Sequence, residues 1–186
     1  MGGVRVRQFV RDGAELAASL LRAKLTACPH CGRVGALNLH GVVTGYAEVG
    51  SERVQRGHRL FCSNRGRRPG CGRTFAVLLA DTLGACAVRT GTLWSFLLEI
   101  ATGLSRKAAW EATGAAVLSL RSGYRLWHRF ARAGPTIRTR LSSHCPPPPC
   151  DSPLPMAQLT EHLRLALPCD NPLSDFQHSF QLDLLS

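Results

Sequence analysis

The chain has 186 residues, 45% of them hydrophobic, and a formal net charge of +11 from 23 basic and 12 acidic side chains. That length accommodates one ordinary domain or two small ones. It leaves no room for a bilayer span, since the longest apolar run, Phe75 to Val88, is broken by Asp81 and Gly84.

The opening Met1 to Arg7 lacks the apolar segment of a secretory signal. The eight cysteines are therefore expected as thiols of a reducing cytoplasm rather than as a disulfide framework. The charge is uneven. Residues 1–140 carry 22 basic and 7 acidic side chains, a net of +15, whereas 141–186 carry 1 and 5, a net of −4. Apart from Lys24 and Lys107 the cations are all arginine. Guanidinium forks match phosphate oxygens and guanine edges. A basic body of this kind points to a polyanionic partner, and so to the nucleoid rather than a membrane.

Residues 1–27 are read as an N-terminal helix unit. Asp12 caps a helix over 12–25, Glu15 follows three residues later, and Leu16, Leu20 and Ala23 form its apolar stripe. Residues 28–80 carry the strongest motif. Cys28-Pro-His-Cys31 places two thiolates on one turn, and Cys62 and Cys71 follow after strand-like segments at 33–46 and 53–62. Two sulfur pairs on two turns of a small antiparallel ribbon suit one tetrahedral, structural Zn²⁺ with no open position, which argues for a scaffold rather than a catalyst. The second pair is C-x8-C, with the Gly-, Pro- and Arg-rich Ser63–Gly70 looped out; His30 is expected to face solvent. Residues 73–79 form a buried strand or open the next domain.

Over 90–140 the period becomes helical. Leu93, Phe96, Leu97, Ile100 and Leu104 mark a first helix that Gly103 stops. Ser105 caps a second through Thr113, ended by Gly114, and a third runs from about Ser119 to Ala133 until Gly134-Pro135. Three short helices with a glycine turn before the last form a helix-turn-helix pattern. The third helix is expected to bury Leu120, Tyr124, Trp127 and Ala131 and to present Arg121, Arg125, Arg129 and Arg132, flanked by Ser122 and His128. Arg121 and Ser122 then approach base edges of duplex DNA, and Arg129 and Arg132 meet phosphates. Arg65, Arg67 and Arg68 offer a second basic contact. Gly123, mid-helix, costs about 1 kcal/mol relative to alanine and stands where a branched residue would normally be buried.

Residues 141–155, with Cys145-Pro-Pro-Pro-Pro-Cys150, form a stiff proline-rich linker. Residues 156–186 hold a short helix over Met156–Leu167 and a largely irregular acidic and apolar tail, either disordered or a docking segment. Cys86, Cys145, Cys150 and Cys169 fit no ligand spacing and are read as free thiols. The expected fold class is α+β: a small zinc ribbon, a three-helix helix-turn-helix unit and an irregular tail.

The Cys28-x2-Cys31 knuckle, His58-Arg-Leu-Phe-Cys62, Cys71-Gly-Arg-Thr-Phe75 and the following helices resemble transposase-associated zinc-ribbon proteins of bacterial insertion sequences. The likeness covers roughly residues 28–132. It implies that Cys28, Cys31, Cys62 and Cys71 are zinc ligands and that the third helix reads DNA; the C-terminal quarter lies outside the likeness, and its acidic and apolar tail is read separately as a docking segment for a transposase or another protein. No carboxylate triad, nucleophile–base pair, P-loop or dinucleotide fingerprint is present, so the expectation is a transposition-related accessory or regulatory factor and not an enzyme. The competing reading is a ribbon that binds RNA or protein without DNA sequence specificity.

Overall fold

The computed structural model describes residues 6–47, 52–66, 70–84, 86–114 and 118–185. The fold is mixed α+β, with four strands in one sheet and six α-helices among the described residues. The chain divides into two compact units. One comprises residues up to Gly45 together with Glu52–Ala80, and the other comprises Asp81 onward together with 46–51.

The first unit contains β1 (Arg7–Val10), α1 (Gly13–Leu21), a short 3₁₀ turn (Ala23–Leu25), β2 (Leu37–Tyr46), β3 (Arg53–Cys62) and β4 (Thr74–Leu79). Asp12 caps α1 as expected, its carboxylate accepting from the Glu15 N–H at 2.9 Å. The sheet order is β1-β4-β3-β2. β4 is an inner strand, which explains its nearly continuous apolar sequence. It runs antiparallel to β3 but parallel to β1, from Arg7 opposite Ala76 to Val10 opposite Leu79. The purely antiparallel ribbon is thus corrected. β1 has only four residues, too few for an alternation to register, and the whole ribbon between β1 and β4 serves as the long connection that parallel pairing requires. One face of the sheet buries Val10, Leu60, Phe75 and Val77 with Leu16 of α1, and the other buries Phe9, Leu78 and Ala80.

The second unit contains α2 (Thr90–Ala101), α3 (Arg106–Ala112), α4 (Leu120–Ser142), α5 (Pro155–Ala166) and α6 (Pro172–Phe180). Its core gathers Leu93, Phe96, Leu97, Trp110, Phe130, Ile137, Leu163 and Phe176. α2 packs against α3, α5 and α6, and α4 packs against α3 and α5.

Three expectations are corrected here. First, the third helix does not stop at Gly134-Pro135 but continues to Ser142. An internal proline costs about 3 kcal/mol. Pro135 is exposed, as is Ala131 four residues back, so water can satisfy the carbonyl that loses its donor. Beyond the proline, Ile137 and Leu141 are 1% and 0% exposed, and burying each offsets about 1.5–3 kcal/mol.

Second, the buried stripe of α4 is Gly123, Leu126, Phe130, Gly134, Ile137 and Leu141. Tyr124 and Ala131 are exposed and Trp127 is half-buried. The stripe is rotated by about a quarter turn because two of its positions are glycines, which carry no hydropathic signal.

Third, the C-terminal tail is ordered. α6 follows α5, and Phe176, Leu184 and Leu185 are buried in the core. Gln177 is fully buried; its amide donates to the Thr82 carbonyl and its carbonyl accepts from the Leu184 N–H, both at 2.9 Å. The linker is held as well, by buried His162, whose Nε2 lies 3.1 Å from the Cys145 carbonyl. The apolar residues read as a docking segment are spent inside the unit. Truncation at Leu141 would uncover the α2 and α4 faces that α5 and α6 cover.

Gly123 has a packing reason. A Cβ there would lie 2.7 Å from Cδ2 of Trp110, and that indole stands edge-on to Phe96 with ring centres 5.3 Å apart. The bare backbone lets α4 approach α3. Gly123→Ala gains about 1 kcal/mol of helix propensity yet should destabilise the helical unit by about 1–3 kcal/mol through overpacking. Denaturant unfolding followed by helical circular dichroism measures this; a variant as stable as the parent would contradict the tight contact.

Candidate metal centre and basic helix face

The Sγ atoms of Cys28, Cys31, Cys62 and Cys71 all lie within 4.8 Å of one another. Cys28 and Cys71 are 3.8 Å apart, as are Cys31 and Cys62. A tetrahedral ion about 2.3 Å from each thiolate sets its sulfurs about 3.8 Å apart. The four side chains therefore fit one ion with every position taken by protein. Tetrahedral sulfur of this kind suits zinc or iron.

Backbone hydrogen bonds explain how C-x2-C and C-x8-C build matching halves. In the first turn the Gly32 N–H donates to the Cys28 carbonyl at 2.8 Å, and the Cys28 N–H donates to that of Arg33 at 2.9 Å. In the second the Gly72 N–H donates to the Cys62 carbonyl, and the Cys62 N–H to that of Arg73, both at 2.9 Å. Gly32 and Gly72 close the two turns with φ of 71° and 73°, the left-handed region that favours glycine. Cys71 thus occupies the place of Cys31. The second pair is longer by six residues, 64–69, whose ends are drawn together by the Gly70 N–H donating to the Ser63 carbonyl at 2.9 Å.

The sulfurs are not alike. Cys28 and Cys62 are buried, Cys71 is half-buried and Cys31 is exposed. Burial pushes the Cys62 thiol up to about 12, against the pull of the Cys71 N–H donating to its sulfur at 3.3 Å. Cys31 is lowered to about 7, chiefly by the Arg33 backbone N–H. A divalent cation held by these sulfurs would supply the charge that releases thiol protons. His30 stands outside the set, its Nε2 3.2 Å from the Thr74 carbonyl. Arg65 is exposed, its guanidinium carbon 5.9 Å from the centre of the Phe61 ring. Arg67 and Arg68 lie outside the described residues.

The second feature is the outer face of α4. The helix carries six arginines and no acid. Arg121, Arg125, His128 and Arg132 are exposed and have no hydrogen-bond or ion-pair partner among the described residues. At 3.6 residues per turn these four fall within an arc of about 60°, opposite the buried stripe. Arg129 does not belong with them. Half-buried, it donates to the Gly84 carbonyl at 3.0 Å, the Leu185 carbonyl at 2.9 Å and the Cys86 sulfur at 2.9 Å. Its expected role as a phosphate contact gives way to a structural one, because its donors point inward. Ser122 is half-buried, with its hydroxyl 3.4 Å from that of Ser119. Arg106 was not anticipated. It lies over Tyr124 and Trp127, its guanidinium carbon 5.4 and 5.9 Å from their ring centres, adding a cation beside the α4 stripe.

The knuckle equivalence makes a specific prediction. Deleting residues 64–69 leaves Cys-Ser-Gly-Cys-Gly, a short knuckle like the first. That variant should retain about one equivalent of bound metal by elemental analysis, as a four-ligand site requires, whereas Cys28→Ser combined with Cys31→Ser should retain none. Loss of the metal on deletion alone would show that 64–69 shape the site.

Searches among protein-family models, curated proteins and solved structures found no match to this chain.

Proposed function

We propose that this chain is a zinc-stabilised protein that binds duplex DNA through α4, acting as an accessory or regulatory factor rather than as a catalyst. The observation that carries this reading is the exposed stripe of Arg121, Arg125 and Arg132, guanidinium groups with no partner among the described residues, on a helix without acids. A guanidinium with no internal partner gives up only water when it meets a phosphate, and each such pairing releases condensed counterions. The major groove admits an α-helix, and α4, at 23 residues, is about 35 Å long.

α2, α3 and α4 follow one another as a helix-turn-helix would. The 113–119 connection is longer than the usual three- or four-residue turn, so the motif is an extended form. In this arrangement Arg121 and Ser122, near the start of α4, face base edges, and Arg125 and Arg132 face the backbone. Arg65, with Arg67 and Arg68, adds a second basic contact from the metal-bearing unit. The zinc is structural: four thiolates leave no site for water or substrate. The resemblance to transposase-associated zinc-ribbon proteins supports a role in transposition, with DNA ends as the bound duplex.

Arg121→Ala, Arg125→Ala and Arg132→Ala in one chain should weaken binding to a random-sequence duplex and reduce the salt slope by about two to three units, near 0.9 for each phosphate no longer neutralised. Fluorescence anisotropy across a salt series reads both. An unchanged slope and affinity in a folded triple variant would remove α4 from the interface and favour the RNA or protein-binding alternative.

A further inference from the structure

The helical unit contains a solvent-open cavity of about 480 Å³ between α4 and residues 86–88. Its volume falls within the range of small-molecule sites, about 300–1,000 Å³. Val88, Leu118 and Leu126 give it an apolar floor, while the exposed Arg125 and Arg132, with His128, stand around it. Among the described residues no carboxylate lines it. Arg129 forms part of the wall, its guanidinium held by two carbonyls and the Cys86 sulfur. Phosphate contacts alone need no apolar floor; a ligand with an apolar body does.

We propose that this cavity binds a small amphipathic anion. An aromatic or aliphatic body sits on Val88, Leu118 and Leu126, and a carboxylate, sulfonate or phosphate faces Arg125 and Arg132. The ligand takes the same Arg125 and Arg132 that the DNA reading assigns to the backbone, so occupancy competes with duplex. This regulatory part rests on the proposed DNA binding; the cavity itself does not.

The test titrates the full chain with 8-anilinonaphthalene-1-sulfonate and follows its fluorescence. Saturable binding of about one probe per chain is expected from a single pocket of this size. The uncharged N-phenyl-1-naphthylamine, with nearly the same aromatic body, should bind about tenfold more weakly, the factor that one missing charge-assisted hydrogen bond of about 1.4 kcal/mol represents. Arg125→Ala with Arg132→Ala should weaken the sulfonate similarly while leaving the uncharged probe unchanged. Non-saturable binding, or equal affinity for the two probes, overturns the site. A duplex that binds the protein but does not displace the sulfonate overturns the competition. A protein that binds the sulfonate as described but no duplex leaves the cavity supported and refutes the DNA reading instead.

Discussion

The first unit is organised around four sulfurs that must meet within 4.8 Å. Its main core is thin: Val10, Leu16, Ala23, Cys28, Ala36, Leu37, Leu60, Cys62, Phe75 and Val77, of which two are cysteines of the cluster and two are alanines. Small domains of this kind commonly rely on a metal as a staple, and structural zinc contributes about 10–16 kcal/mol in small zinc-binding peptides. The two matched turns, each closed by a glycine after the second cysteine, are how the chain meets that constraint from two different spacings.

The helical unit solves a different problem. α4 serves the core with one face and on the other carries exposed arginines with no partner among the described residues. Gly123 against Trp110 brings the helix close to α3, and Ile137 and Leu141 keep it helical past Pro135. Arg129, at the border of the two faces, ties residue 84 and the C-terminal Leu185 to the helix. The C-terminal helices therefore belong to the structure that presents the basic face. Their acidic side chains do not mark them as a separable tail.

Local signals were legible wherever one residue type has one strong physical use. The thiolates announced their cluster, and Asp12 and Ser105 marked helix starts that the structure shows as side-chain caps. Gly103 and Gly114 marked stops, with φ of 97° and 67°. What could not be read depends on tertiary packing. The phase of α4 was hidden because glycine at 123 and 134 gives no apolar signal, although both positions are buried. Pro135 read as a terminator because its local cost is visible while the compensating burial of Ile137 lies two residues further on. The tail read as irregular because Gln177, polar in sequence, is a fully buried pin that reaches the distant Thr82 carbonyl as well as the Leu184 N–H. β1 exists only through β4. Arg129 and Arg132, alike in sequence, part ways because one reaches carbonyls and the other reaches solvent.

The claim on which the rest stands is a closed, all-sulfur structural metal centre, and X-ray absorption at the metal edge of the purified protein tests it most directly. The account predicts a zinc edge with a single shell of four sulfurs at about 2.3 Å and no nitrogen or oxygen neighbour. A mixed shell containing nitrogen or oxygen at about 2.0–2.1 Å would contradict it, because an open or histidine-bearing site is not the one these four cysteines build.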